Sequence, residues 1–298
     1  MEQLKLIKHT EIDKNRWDKV ISQAPNSRVY ALSWYLDALN NGWHGLIYGD
    51  YEFCMPIFQS QKYGLKYIYQ PTYSQQHGVF PNPEPKVFSL FLEKLVRLAP
   101  YIVIAYNSHN KLSTTKFKLQ TKPNYILPLN TTYDQIRSNY SRSHKRYINQ
   151  AYKNVTISEI TIEQYIELKK SNSESFIDNK TIATLQKIAA TASSKGLCKL
   201  IGAHLDGNQL TAAGVFLNNG NRILYLNGVS NSEGKKLRSM YAIIDNIISK
   251  YAGQELTLDF EGSTIDGVAT FFSRFGAEPE YYTIAKRNTI PILKYFMK

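Results

Sequence analysis

The run Gln209-Leu210-Thr211-Ala212-Ala213-Gly214-Val215-Phe216-Leu217-Asn218-Asn219-Gly220-Asn221-Arg222 decides the reading of the fold. Gln209–Leu217 is mostly apolar. Asn218-Asn219-Gly220-Asn221 reads as a hairpin turn, because asparagine and glycine tolerate the left-handed backbone such turns need. Arg222–Val229 is the return strand, and a polar loop, Ser230–Lys236, follows it. Leu237, Met240, Tyr241, Ile244, Ile247, Ile248 and Tyr251 then recur at the spacing of one helix face and predict a helix over Leu237–Tyr251. Glu255–Phe260 predicts a short strand running into Glu261-Gly262-Ser263, and Val268–Phe275 a small helix stopped by Gly276. The stretch 207–282 thus joins an antiparallel hairpin, a crossover helix and a parallel strand into a mixed α+β sheet. The loop at the N-terminus of the crossover helix is a place for an anion, since the first amides of a helix have no partner within it.

A chain of 298 residues is long enough for one large domain or two of ordinary size. Its 43% hydrophobic and 20% charged residues are those of a folded protein, not a disordered one. The net charge of +12 favours polyanionic partners such as nucleic acid, a phosphate-bearing cofactor or an anionic surface; a lysine-rich solvated shell explains it equally well. Cys54 and Cys198 sit among apolar neighbours, so neither a metal site nor a disulfide framework is expected. Residues 1–17 contain no apolar signal core, and no apolar run approaches the roughly 20 residues that span a bilayer. A cytoplasmic location without a transmembrane segment is the expectation.

The order of elements in 207–260 occurs once before. Gly49-Asp50 is a turn, Tyr51–Gln59 a strand and Gln61-Lys62 a second turn. Tyr63–Tyr69 is a strand with Tyr63, Leu65, Tyr67 and Tyr69 on one face. A long loop, Gln70–Pro85, leads to a helix at Lys86–Leu98 and an apolar strand at Tyr101–Tyr106. Turn, strand, turn, strand, loop, helix, strand is therefore an internal repeat, at Gly49–Tyr106 and Gly207–Phe260. Helices precede each copy, at Asp13–Asn41 and Thr161–Lys195. The expected architecture is α+β: two tandem units, each a mixed, mostly antiparallel sheet flanked by helices. The first covers 1–130 and the second 131–287. The tail, 288–298, is apolar enough at Ile290, Ile292, Leu293, Tyr295 and Phe296 to dock back on the first unit.

Between the copies, Thr132–Tyr152 reads as one polar, basic helix. Arg142, Lys145 and Arg146 recur on it at helical spacing and either face a polyanion or form an ordinary solvated face. No Ser-His-Asp order, metal-ligand spacing, phosphate loop or dinucleotide fingerprint occurs. These absences favour a reaction run by positioning, such as acyl transfer to an amine. That chemistry needs a donor anchored by its phosphate part, a slot for the carbonyl, a polarising group and an acceptor for the amine proton. Asp259 and Glu261 end a parallel-type strand, where such sheets open, and either can take the proton; Asp259 can equally cap the turn at Gly262. Tyr225 and Asn227 alternate on the central strand and line the slot, unless Tyr225 belongs to the core. Gly234, Lys235, Lys236 and Arg238 are the phosphate-binding candidates. Tyr73, Gln76 and His77, on the long loop of the first copy, are the candidates for holding the acceptor.

Leu258-Asp259-Phe260-Glu261-Gly262-Ser263, followed by Val268-Ala269-Thr270-Phe271-Phe272-Ser273-Arg274-Phe275-Gly276-Ala277, resembles the C-terminal signature of the FemAB-like family within the GNAT acyltransferase superfamily. Tyr140–Lys153 resembles the region ahead of that family's second domain. Ala212–Leu217 with Arg222–Gly228 resembles the central GNAT hairpin. The resemblance spans most of Ile136–Lys286, and the first half enters only through the repeat. It implies two GNAT-like units with the acceptor between them, the first on the acceptor side and the second carrying donor and catalytic groups. It implies transfer of an acyl or aminoacyl group to an amine by direct attack, without metal or covalent intermediate. The donor, not tightly bound, is aminoacyl-tRNA or an acyl-coenzyme A; the acceptor is a small or cell-wall-precursor amine, with tRNA as a partner. Two departures bear on the donor. The coenzyme A loop of GNAT proteins is glycine-rich, whereas Asn231-Ser232-Glu233-Gly234-Lys235-Lys236 has one glycine and a carboxylate. The family often places a lysine just before its Phe-Gly pair, and here Arg274 stands there, either polarising the donor carbonyl or lying on the surface. A GNAT-like module that binds RNA or a phosphorylated ligand without chemistry is the other reading.

Overall fold

A computed structural model describes residues 3–172, 178–205, 209–262 and 266–290. Gly207, Ser263 and the tail beyond Ile290 lie outside them, and with them the expected docking of 288–298. The chain begins with β1 (Leu4–Lys8), α1 (Lys14–Gln23), α2 (Ser33–Leu39), β2 (His44–Tyr48) and β3 (Phe53–Ile57). It continues through β4 (Gln59–Lys62), β5 (Leu65–Ile68), α3 (Pro85–Leu98), β6 (Tyr101–Tyr106) and β7 (Lys118–Pro128). Then come α4 (Tyr133–Ser138), α5 (Arg142–Tyr152), β8 (Thr156–Glu159), α6 (Ile162–Ser171), α7 (Asn179–Ser194) and β9 (Cys198–Leu205). The last elements are β10 (Gln209–Asn218), β11 (Arg222–Ser230), α8 (Ser232–Lys236), α9 (Ser239–Tyr251), β12 (Thr257–Asp259), α10 (Asp266–Ser273) and β13 (Glu278–Asn288). Among the described residues, no helix is long and apolar enough to cross a membrane.

Two compact units emerge: 1–122 together with 281–298, and 123–280. The division differs from the expected 130/131 and 287/288 boundaries because each unit completes its sheet with a strand from the other half of the chain. In the first unit β4 and β5 form an antiparallel hairpin, α3 crosses over, and β6 returns parallel to β5. From Tyr281 on, β13 pairs antiparallel with β6 and completes that sheet. A separate antiparallel sheet, β1-β2-β3, packs its apolar face with α3 around Phe91, Leu95, Ile102 and Tyr106.

The second unit repeats the scheme. β10 and β11 form the hairpin around Gly220, whose φ of +97° meets the turn's left-handed requirement. α9 crosses over and β12 returns parallel to β11, flanked on its other side by β7. β9 and β8 extend the sheet beyond β10. The core lies between this sheet and α4, α5, α9 and α10, with Phe216, Ile243, Ile247, Leu258, Phe260 and Phe275 at its centre. The order of hairpin, crossover helix and parallel strand thus recurs, but in the first unit the hairpin is β4–β5, turned at Tyr63-Gly64 rather than Gln61-Lys62, and β3, within the expected first strand Tyr51–Gln59, pairs instead with β2 in the separate sheet.

Two predicted helices differ from expectation, the first broken by a side-chain cap and the second shortened by a left-handed residue. Thr132–Tyr152 is two helices because the Ser141 hydroxyl accepts from the His144 amide at 3.2 Å, starting α5 afresh. The Ser141 amide is turned outward to the Arg274 carbonyl at 2.9 Å, and the Lys145 ammonium covers the Ser138 carbonyl at the end of α4. In the expected helix Leu237–Tyr251, α9 starts at Ser239. Asn231 caps the preceding short α8, and Arg238, at φ +62°, separates the two.

Candidate functional site

The parallel partners β11 and β12 pair only at Arg222–Leu224 against Thr257–Asp259. Beyond Asp259 the chain follows β7: the Phe260 amide donates to the Tyr125 carbonyl, and the Tyr125 amide donates to the Glu261 carbonyl. β11 continues beside β10 as far as Ser230. The two strands therefore part, leaving Tyr225–Ser230 without a β12 partner. At the root, Arg222 grips Glu280 with both terminal nitrogens, at 2.7 and 3.1 Å, and donates to Asp259 at 2.9 Å. Asp259 is 2% exposed and also accepts from Asn124 and from the Glu261 amide. Its oxygens are committed to holding the corner. Glu261 is half-buried, at φ +60°, just past the strand end.

A bulge decides what faces this opening. Asn227 pairs with Val215 but Tyr225 pairs with Phe216, so β11 carries an extra residue, Leu226. Residues two apart then point to opposite faces, contrary to the expectation that Tyr225 and Asn227 line one slot together. The Tyr225 ring stacks on Phe216, and its hydroxyl donates to the Met240 sulfur of α9. That hydroxyl lies within 1.8 Å of where a Cβ on Gly228 would be, so only glycine leaves it room. Burial raises the Tyr225 pKa. Asn227, on the other face, accepts at Oδ1 from the Tyr165 hydroxyl and the Lys169 ammonium of α6, both at 2.7 Å. Lys169 is 8% exposed, and burial lowers its pKa. Tyr165 and Lys169 were not anticipated. Their only signal was a lysine one helical turn after an inward tyrosine, on a helix where lysine ordinarily faces water.

Past Ser230 the strand ends in a cationic turn. The Gly234 amide donates to Asn231 Oδ1 at 2.7 Å, and Ser230, Gly234, Lys235, Arg238, Met240 and Tyr241 line a pocket of about 160 Å³. The Arg238 guanidinium lies 4.6 Å from the Tyr147 ring of α5, and that of Arg146 lies 5.0 Å from the same ring. Tyr147 in turn meets Tyr241 edge-on at 5.3 Å. The structure thus brings Lys235, Arg238 and Arg146 together around two tyrosines. The others do not join them in the same way. Lys236 is mostly exposed and pairs with Glu233, Arg142 is exposed at the start of α5, and Lys145 is bound to Ser138. Arg274 is exposed after α10.

In the first unit, the loop after β5 folds back along β6, so Gln76 and His77 are buried rather than presented on a surface loop. The His77 amide donates to the Ala105 carbonyl and its own carbonyl accepts from the Asn107 amide. Its Nε2 shares a hydrogen bond of 2.6 Å with the Ser74 hydroxyl, and its ring stacks on Phe58. Gln76 is fully buried and accepts from the Ser108 amide; Tyr73 is half-buried, and its carbonyl accepts from the Tyr35 hydroxyl. Gln70 reaches the Ala105 amide at 3.1 Å. The first unit's own parallel pair is therefore filled by this loop where β11 and β12 stand apart.

Burial pushes His77 down to about 3 and His144, packed between Tyr241 and Phe275, to about 4. Both rings are neutral in the fold and gain a proton near pH 6.5 when unfolded, so below that pH the unfolded chain binds more protons. Stability should fall from pH 7 to 5 by up to about 1.4 kcal/mol per pH unit for each histidine. Urea unfolding at pH 5, 6 and 7 measures this, and His77→Gln should flatten the slope; an unchanged slope would show that His77 titrates normally. Burial also pushes the thiols of Cys54 and Cys198 up, to about 12 and about 11, which leaves neither a ready nucleophile. Among the described residues, no group of three His, Cys, Asp or Glu could hold a metal.

No family model and no curated protein matches the sequence. Solved structures do match. FemX shares 13% identity at a TM-score of 0.68, over 94% of this chain and 96% of that one. L-PGS from Bacillus licheniformis shares 9% at 0.54, over 94% of each chain. N-myristoyltransferase from Saccharomyces cerevisiae, with bound myristoyl-CoA, shares 11% at 0.55, over 97% of this chain and 79% of that one. Identities this low speak to architecture alone: the chain has the fold of FemX, shared with L-PGS and N-myristoyltransferase.

Proposed function

We propose that this protein transfers an acyl or aminoacyl group from a phosphate-bearing donor to an amine. The observation that carries the reading is the parting of β11 from β12, with a cationic turn at the far end of β11. The donor's phosphate part binds Lys235, Arg238 and the amides that open α9. Its acyl arm runs back along β11 into the opening. There the amine lone pair attacks the carbonyl carbon, and the carbonyl π electrons move onto oxygen. Collapse of the tetrahedral intermediate breaks the bond to the thiol sulfur or ribose oxygen, and the leaving group takes up a proton. Glu261, just past the strand end, takes the amine proton, and Asp259 holds the corner through Arg222 and Asn124. Aminoacyl-tRNA and acyl-coenzyme A both meet the requirement for an anionic donor, and a cell-wall-precursor amine fits as acceptor.

Thermal unfolding with acetyl-coenzyme A, alanyl-tRNA or uncharged tRNA tests this. A true donor at 100 times its Kd stabilises the fold by about 2.7 kcal/mol. The double substitution Lys235→Glu, Arg238→Glu should abolish that gain. Each donor is then offered hydroxylamine as a generic amine. Stabilisation by any RNA with a steep salt dependence but no transfer would favour the binding-module reading. Stabilisation by neither donor would overturn the transferase reading.

A further inference from the structure

Asn227 sits where β11 has lost its β12 partner, on the face turned toward α6. Its amide orientation is fixed by chemistry: a lysine ammonium can only donate, so the atom 2.7 Å from Lys169 Nζ is Oδ1. The Tyr165 hydroxyl donates to the same oxygen at 2.7 Å. The amide nitrogen therefore points the other way. Among the described residues Nδ2 donates to nothing, and it is not among the side-chain atoms sealed from solvent without a partner. Two donors on one amide oxygen, one of them cationic, draw electron density from the nitrogen and strengthen its N–H groups as donors. Side-chain rotation is blocked, because turning the amide would set its NH₂ against the ammonium. The result is a fixed, polarised donor beside the strand opening.

We infer that Asn227 donates from Nδ2 to the acyl carbonyl oxygen of the donor, with Tyr165 and Lys169 as its positioning residues; this rests on the transferase reading above. As the amine adds, the carbonyl oxygen gains negative charge and the hydrogen bond it accepts from Nδ2 tightens. No proton leaves Asn227. Its contribution is greatest in the tetrahedral state, so it acts on the rate more than on donor binding.

The test uses the full chain, acetyl-coenzyme A and alanyl-tRNA as donors, and hydroxylamine as the amine. Asn227→Asp keeps an acceptor for Tyr165 and Lys169 while removing both N–H groups. It should cut the single-turnover rate about 100-fold and leave the donor Kd within about threefold. Lys169→Met, which removes the polarising cation and keeps the length of the side chain, should cut the rate about tenfold with unchanged KM. The carbonyl stretch of a bound carbon-13-labelled donor should rise in Asn227→Asp relative to wild type, a readout that needs no turnover. If Asn227→Asp does not fold, Asn227→Ser takes its place with the same expected losses. Wild-type rate and carbonyl frequency in the Asn227 variant would overturn the inference and leave the transferase reading standing. A wild-type protein that accelerates neither donor would remove the transferase reading, and this role with it.

Discussion

Arg222→Ala is expected to lower the unfolding free energy by about 3–5 kcal/mol, measured by urea denaturation at pH 7. The guanidinium holds two carboxylates that lie far apart in sequence, and the side chains of all three are at least 86% covered or more. Removing it leaves Asp259 with only Asn124 and the Glu261 amide, in a place where an unpaired carboxylate is costly. Glu280 loses a bidentate partner at the same time. Asp259→Asn should cost less, because Arg222 keeps both contacts to Glu280 and the side-chain volume is preserved. A loss below about 1 kcal/mol for Arg222→Ala would mean the cluster behaves as an exposed ion pair. The same substitution should loosen the corner from which β11 and β12 diverge, so it tests whether the opening is held at its root.

The parts of this fold legible in the sequence are those set by local periodicity. Asn218-Asn219-Gly220-Asn221, the apolar rows of α3 and α9, and the glycine stop at Gly276 each follow from neighbours a few residues away, and the repeat of hairpin, helix and strand follows from them. What was hidden depends on partners distant in sequence. Arg222 and Asn124 meet Asp259, and Glu280 meets Arg222, only once β7, β11, β12 and the start of β13 are assembled. The bulge at Leu226 is a one-residue mismatch between β10 and β11, visible only in their register, yet it sends Tyr225 into the core and Asn227 to the opposite face. Likewise His77 sits on a polar loop in the sequence, and only the pairing of its backbone with Ala105 and Asn107 buries it. Of the phosphate-binding candidates, Lys235, expected in a loop, lies on the short helix α8, and Arg238, expected inside the crossover helix, precedes it at φ +62°. The convergence of Arg146 with Arg238 on Tyr147 needed the packing of α5 against α9.

Gly234→Ala is the second large effect, and it acts on stability and donor binding together. A Cβ at this position would lie 2.2 Å from the Thr211 carbonyl oxygen. That oxygen belongs to the backbone of β10 and accepts from the Asn231 amide at 3.0 Å, so it cannot swing aside as a flexible side chain would. The turn must lift instead, straining the Asn231 cap on the Gly234 amide. Overpacking of this kind costs about 1–3 kcal/mol. Lys235 and Arg238 ride on the same turn, so the affinity for the donor that stabilises wild type should fall at least about tenfold, a drop of about 1.4 kcal/mol in binding. Two further variants separate position from charge. Lys235→Ala should leave unfolding within about 0.5 kcal/mol of wild type and weaken binding only. Arg238→Gly relieves a left-handed residue that has a side chain, so it should hold or raise stability while still weakening binding. Stability and affinity thus move together in Gly234→Ala and apart in Arg238→Gly. If Gly234→Ala binds the donor as tightly as wild type, the turn after β11 does not anchor its phosphates, and the donor must enter the β11–β12 opening from another side.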